Sequence, residues 1–165
     1  MTVLNDLIND NADASFEASA PSFSVSFFIQ NHLIKFTKLS LSSNFNSKIY
    51  GDSSLTNKIF SWVEQYLDKK DPSISLPLDL KNLTPFSRIG LRAIKKISFG
   101  TTASYKETAE AAGNPKAARA IGGVCNRNPF PLIIPCHRVI ASNQKIGGFA
   151  YDIKLKIALL NFECN

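Results

Sequence analysis

Apolar and polar residues alternate with a period of two from Phe23 to Ile29, break at Gln30-Asn31-His32, and resume through Leu33-Ile34-Lys35-Phe36 with Leu39 and Leu41. The pattern predicts a β-hairpin turning at His32, which reads there as an exposed bystander rather than a ligand. Residues 1–21, rich in Asn, Asp, Ala and Ser and ending at Pro21, predict a short helix at most, or a frayed arm. From Asp52 to Lys70 the period changes to that of a helix: Leu55, Ile59, Phe60, Val63, Tyr66 and Leu67 share a face, Asp52 to Ser54 offer caps, and Asp71-Pro72 stops the run. Trp62 on such a helix reads better as core or interface packing than as a stacking platform. Ile74, Leu76, Leu78 and Leu80 alternate through Pro77, which fits an edge strand or an extended connector to a second domain.

Beyond that connector helical periods replace the alternation. Thr84-Pro85 is an N-cap with proline at the first helical position, and Phe86, Ile89, Ala93, Ile94 and Ile97 form the buried stripe of a helix ending near Gly100. Ser104-Tyr-Lys-Glu107 has capping-box spacing for a helix through Ala112, with Gly113 at its C-terminal turn. Asn114-Pro115 then predicts the start of another helix, to about Val124. Small Ala117, Ala118 and Ala120 on this last helix permit close approach to a partner, and Lys116 and Arg119 make it positive. Two short helices around a glycine turn form a helix-turn-helix pattern, which also occurs as a plain packing unit.

Charge distribution favours the nucleic-acid reading. The net +6 divides unevenly: up to Asn82 there are seven basic and nine acidic residues, and from Leu83 onward 12 basic and four acidic. The second half therefore carries +8, as a segment meeting a polyanion would. The 165 residues, 44% hydrophobic, suffice for one compact domain or two small ones. No apolar run approaches the ~20 residues of a membrane span, and Met1 to Asp6 is acidic where a signal peptide is basic, so neither a membrane nor a secreted protein is expected. Three cysteines (Cys125, Cys136, Cys164) are too few for a disulfide framework and point to reduced thiols in the cytoplasm or, in a eukaryote, the nucleus. With two histidines, no CxxC and no HExxH, no metal is expected.

The most unusual stretch is Asn128-Pro-Phe-Pro-Leu-Ile-Ile-Pro-Cys-His-Arg-Val-Ile140. Its prolines and apolar centre make a stiff segment that delivers Cys136 and His137 beside Arg138. Cys136 reads either as a buried structural thiol or as a nucleophile whose thiolate the adjacent imidazole and arginine favour.

Ile134-Pro-Cys-His-Arg-Val139, with Gly113-Asn-Pro-Lys-Ala-Ala-Arg-Ala-Ile-Gly-Gly123 and Asn128-Pro129 upstream, resembles the O6-alkylguanine-DNA alkyltransferases, also called methylated-DNA–protein-cysteine methyltransferases. The resemblance is dense from about Thr84 to Glu163. It implies an α+β protein: an N-terminal ribonuclease-H-like α/β domain (1–82) and a C-terminal helical, winged-helix-like domain (83–165). It also implies direct, single-turnover reversal of O6-alkylguanine, extending to O4-methylthymine, with the alkyl group moving irreversibly to Cys136. His137 would be the base through a water, oriented by Glu163, and Asn128 would hold the active-site turn. Arg119 would intercalate where the flipped base was. Tyr105 would rotate the phosphate and donate to the purine, and Lys116 and Ala118 would complete the DNA-binding face. Pro131, Val139, Phe149, Ala150 and Tyr151 would form the substrate pocket. A duplex hides its O6 substituent, so base flipping is required.

No cofactor is expected, because the lesion is the donor and Gly122-Gly123 and Gly147-Gly148 are too short for a nucleotide fingerprint. The expected partner is double-stranded DNA, met by a monomer. Where the family has two small residues this chain has Tyr151-Asp152: Tyr151 either narrows the pocket or points to solvent, and Asp152 caps a final helix from Ile153. The alternative function is a non-catalytic sensor of alkylated DNA; those proteins lack the acceptor cysteine, so Cys136 argues against it. A regulator would not need Pro-Cys-His-Arg, and a cysteine hydrolase would need an oxyanion motif that is not evident.

Overall fold

The structure is a computed structural model describing residues 12–164. Its first half is a four-stranded sheet covered on one face by a helix. Strand β1 (Ala14–Ala18) is at one edge, followed by β2 (Phe23–Gln30), β3 (Leu33–Leu41) and β4 (Phe45–Gly51), in the spatial order β1-β4-β2-β3. The alternation read from the sequence produces this arrangement: Phe23, Val25, Phe27 and Ile29 are buried, while the residues between them face outward. Asn31 and His32, with φ of 55° and 58°, form the turn between β2 and β3, and both left-handed residues match the twist of the hairpin. His32 is exposed and bonded to Asp52 and Ser54.

Residues 14–18 are neither helix nor frayed arm but a strand paired antiparallel with β4; residues 1–11, also covered by that expectation, lie outside the described residues. Strand β4 itself pairs in parallel with β2, and its mixed sequence, with Phe45, Ser47 and Ile49 inward, carried too weak a pattern to be read.

Helix α1 (Thr56–Leu67) is preceded by a 3-10 turn that Asp52 caps. It buries Ile59, Trp62, Val63 and Tyr66, and Trp62 stacks on Tyr66 rather than facing solvent. The alternating segment after it is a connector, joined to β3 by the bridge Ile34–Leu78 and by the Lys35–Asp79 ion pair.

In the second half, α2 (Pro85–Lys95) starts at the Thr84 cap. The two-residue strand β5 (Ala103–Ser104) leads into α3 (Tyr105–Ala111), whose capping box is complete. Gly113 turns the chain with φ of 80°. Helix α4 (Ala118–Asn126) begins three residues later than Asn114-Pro115 predicts: the Asn114 carboxamide accepts from Lys116 N, and a turn occupies 115–116 before the helix. Gly90 lets α2 and α4 touch, because a Cβ there would lie 3.2 Å from Val124. Strand β6 (Val139–Ile140) pairs in parallel with β5, and α5 (Ile153–Cys164), capped by Asp152, closes the fold.

The two halves share one continuous apolar cluster. Buried Thr37 of β3 ties them: its N–H donates to Pro129 O at 2.9 Å and its hydroxyl to Pro131 O at 2.8 Å. The sheet therefore grips the segment that carries Cys136.

Candidate active site

That segment is shaped by Asn128. Its Nδ2 donates to Ile134 O at 2.9 Å and its Oδ1 accepts from Phe130 N at 2.9 Å, so one side chain spans the turn. Leu132 holds a φ of 73°, a strained conformation for a leucine, and the surrounding prolines and hydrogen bonds enforce it. The turn ends in a 3-10 helix of Cys136, His137 and Arg138, all buried.

His137 Nε2 lies 2.7 Å from Glu163 Oε1. Arg138 grips the same carboxylate twice, Nε to Oε2 at 2.8 Å and NH2 to Oε1 at 3.1 Å. Burial pushes the Glu163 carboxyl up, but the hydrogen bonds from His137 and Arg138, with the charge of Arg138, outweigh it and hold it at about 2. An ionised carboxylate only accepts, so Nε2 carries the proton and His137 Nδ1 has a free lone pair. Nδ1 is buried without a protein partner. Burial lowers the imidazole's proton affinity, against the pull of Glu163, and so favours the neutral base.

Burial also pushes the Cys136 thiol up, opposed by a hydrogen bond from Asn128, the charge of Lys156, and the backbone N–H groups of Cys136 and His137. The expectation that Arg138 supports the thiolate needs correcting. Its guanidinium is taken up by Glu163, by Asp71 at 3.0 Å and by Ile97 O at 2.6 Å.

The cation whose charge favours the thiolate is Lys156, which lies outside the Cys136 motif. It is fully buried, and its Nζ donates to Val139 O at 2.7 Å and Gly148 O at 3.1 Å, tying the Cys136 turn to the loop before α5. A signal existed: Lys156 and Glu163 are seven residues apart on the buried face of α5 with Leu159 between them.

Cys136 opens onto a cavity of about 310 Å³ lined by Tyr105 and by Gly122, Gly123, Cys125 and Asn126 of α4, with Gly148, Phe149 and Ala150 opposite. Of the expected pocket residues, Phe149 and Ala150 line it. Pro131 and Val139 are buried behind it, where their carbonyls accept from Thr37 and Lys156. Tyr151 is half-buried against the Phe149 ring at 5.6 Å, with its hydroxyl toward the backbone of Leu39, outside the cavity lining. Burial, with the neighbouring thiols, raises Tyr105, which keeps its phenol protonated as a donor. Arg119 is exposed on α4, and with Tyr105, Ala118 and Gly122 it borders a second, apolar depression; Lys116 is exposed in the turn before the helix.

Cys125 shares the cavity wall with Cys136. Burial, then repulsion from Cys136, pushes it up to about 12, so almost none is thiolate at neutral pH. Cys125→Ala should retain single-turnover alkyl transfer within a factor of about two, because the lost group contributes no nucleophile. A quench-flow rate on a labelled O6-methylguanine duplex checks this, and a loss of transfer would make Cys125 a participant.

A family model, 6-O-methylguanine DNA methyltransferase, DNA binding domain, matches residues 85–165. A probable methylated-DNA–protein-cysteine methyltransferase of Acanthamoeba polyphaga mimivirus is 39% identical over 121 residues, covering 71% of this chain and 80% of that protein. The constitutive methylated-DNA–protein-cysteine methyltransferase of Bacillus subtilis is 39% identical over 102 residues, 61% of each chain. Among solved structures, the Mycobacterium tuberculosis OGT in complex with DNA superposes with a TM-score of 0.65 at 28% identity, over 83% of this chain and 84% of that one.

Proposed function

The chain belongs to the O6-methylguanine DNA methyltransferase family, and from that membership and the site we infer that it repairs DNA by moving the alkyl group of O6-alkylguanine onto its own Cys136. The observation that carries the reading is Cys136 on the wall of a cavity, with the buried His137–Glu163 pair behind it and Nδ1 of His137 unpartnered.

The roles follow from the protonation states. Neutral His137 takes the thiol proton at Nδ1 through a water, and Glu163 stabilises the imidazolium that forms. Because burial disfavours a standing thiolate, deprotonation accompanies attack: the sulfur–carbon bond forms as the carbon–O6 bond breaks, and the electron pair leaves with guanine. Tyr105 is placed to donate a proton or hydrogen bond to the departing base. Asn128 holds the turn, and the second half of the chain, with +8, supplies the duplex-binding surface. Arg119 fills the place of the extruded base and Lys116 meets phosphate, while small Ala118 permits close groove approach.

In this reading the first half is a ribonuclease-H-like domain (1–82), the second a winged-helix-like domain (83–165), and the protein a monomer of the cytoplasm or a eukaryotic nucleus. The alkyl group meets the Phe149–Ala150 wall of the cavity, and Tyr151 reaches it only through its contact with the Phe149 ring. The thioether formed has no resolving group, so one molecule repairs one lesion.

Incubating the protein with duplex DNA carrying radiolabelled O6-methylguanine tests this. One equivalent of label is expected on the peptide containing Cys136. Turnover beyond one equivalent, or no transfer, would falsify the mechanism.

A further inference from the structure

The Glu163 carboxylate receives a donor that does not come from the half of the chain carrying the reaction. Tyr66, on α1, donates its hydroxyl to Glu163 Oε1 at 2.8 Å, the same oxygen that lies 2.7 Å from His137 Nε2. We propose that Tyr66 is a positioning residue for alkyl transfer, reaching from the sheet to hold Glu163 against His137 and to moderate the carboxylate's pull on the imidazole.

Geometry makes the phenol a fixed point. Its ring stacks on Trp62 and meets Phe99 edge-on at 5.5 Å, Phe162 at 5.7 Å and Phe23 at 6.4 Å, so β2, α1, the loop after α2 and α5 all clamp it. Burial, with the charge of Glu163, raises its proton affinity, so it stays a donor throughout the working range of pH. A hydrogen bond to Oε1 draws off part of the carboxylate charge. Without it that charge falls more fully on His137, favouring imidazolium over the neutral base. The other charged groups facing His137 (Arg138 and Lys156) and the Asp71 carboxylate beyond Arg138 are untouched by the change.

The inference rests on the reading of His137 as base, yet its test reads the imidazole directly. The chain has two histidines, one exposed at a hairpin turn and one buried, so NMR titration of the full chain with labelled histidine separates them. In Tyr66→Phe, which removes only the hydroxyl, the His137 titration should move to higher pH while His32 stays in place. The single-turnover rate at neutral pH should fall about tenfold. Trp62→Phe disturbs the packing of the same ring but leaves the hydrogen bond, so it should lower Tm and leave the His137 titration unchanged. Superimposable His137 titrations in wild type and Tyr66→Phe, or an equal shift in Trp62→Phe, overturn the proposal. A wild type that transfers no methyl while the Tyr66→Phe shift persists overturns the functional reading and leaves the Tyr66–Glu163–His137 coupling standing.

Discussion

Cys136→Ala will transfer no alkyl group and will still bind a duplex containing O6-methylguanine. In the proposed function the sulfur is the acceptor; Cys125, on the wall of the same cavity, is held as a thiol by an affinity for its proton pushed up to about 12, and Cys164 is exposed at the end of α5. In the proposed function binding rests on groups elsewhere, namely the exposed Arg119 and Lys116 and the phenol of Tyr105, and truncating one buried side chain to alanine leaves those in place. Lesion affinity by fluorescence anisotropy should therefore stay within about threefold of wild type, corresponding to less than 1 kcal/mol. The variant becomes a sensor of alkylated DNA, which is the alternative function realised by a single substitution. Label appearing on Cys125 in this variant would move the acceptor. A collapse of binding would mean that Cys136 shapes the DNA surface and not only the chemistry.

Much of the fold was legible because strong periodicity coincided with strong punctuation. The β2–β3 hairpin, α1 and α3 each combine a clear period with a turn or cap that the structure uses, Asn31-His32, Asp52 and Ser104, whereas α2 keeps its Thr84 cap but ends at Lys95 and buries Leu91 with Ala93 and Ile94 while Ile89 of the expected stripe is exposed. What stayed hidden lacked one of the two. β1 is five residues without a fully buried position, so its pattern is set by pairing with β4 rather than by its own composition. Asn114-Pro115 has the chemistry of a helix start, but the same carboxamide can instead close a turn on Lys116, and here it does.

At the site, the Asn128–Val139 motif identified the chemistry, and its stiffness followed from the prolines. The partners of that motif were not legible, because they depend on tertiary packing. Arg138 adjoins Cys136 in sequence yet points at Glu163 and Asp71, whereas Lys156, 20 residues downstream, is the cation near the thiols. Adjacent residues diverge while a helix returns a distant one, so proximity along the chain misassigned the supporting charge. Tyr66 shows the same effect across 97 residues. The first half of the chain, acidic by two, supplies Thr37, Tyr66 and Asp71 to the site behind Cys136.

Glu163→Gln should be the most destabilising single isosteric change in the molecule, because every protein group facing that carboxylate is a donor. Oε1 accepts from Tyr66, His137 and Arg138, and Oε2 accepts from Arg138 Nε. An amide must present its NH2 to one side, setting donor against donor in either orientation, and it leaves the buried Arg138 with only the half-exposed Asp71 as counter-charge. Breaking a buried pair in this way costs about 3–5 kcal/mol, which for a chain of this size lowers Tm by roughly 10 °C. The pH dependence identifies the cause. Glu163 is held at about 2, below its ordinary 4.5, so its stabilisation is complete above pH 4.5 and is lost as pH falls through about 2. The loss is on the order of 3 kcal/mol at about 1.4 kcal/mol per decade. His137, kept neutral by burial, adds a separate loss that begins below its ordinary 6.5. Urea denaturation from pH 7 to pH 2.5 should therefore show wild type losing stability steeply below pH 4.5. Glu163→Gln should start lower and follow a flatter line through that window. Parallel curves would mean that the carboxylate's charge is not what holds α5, the Cys136 turn and α1 together.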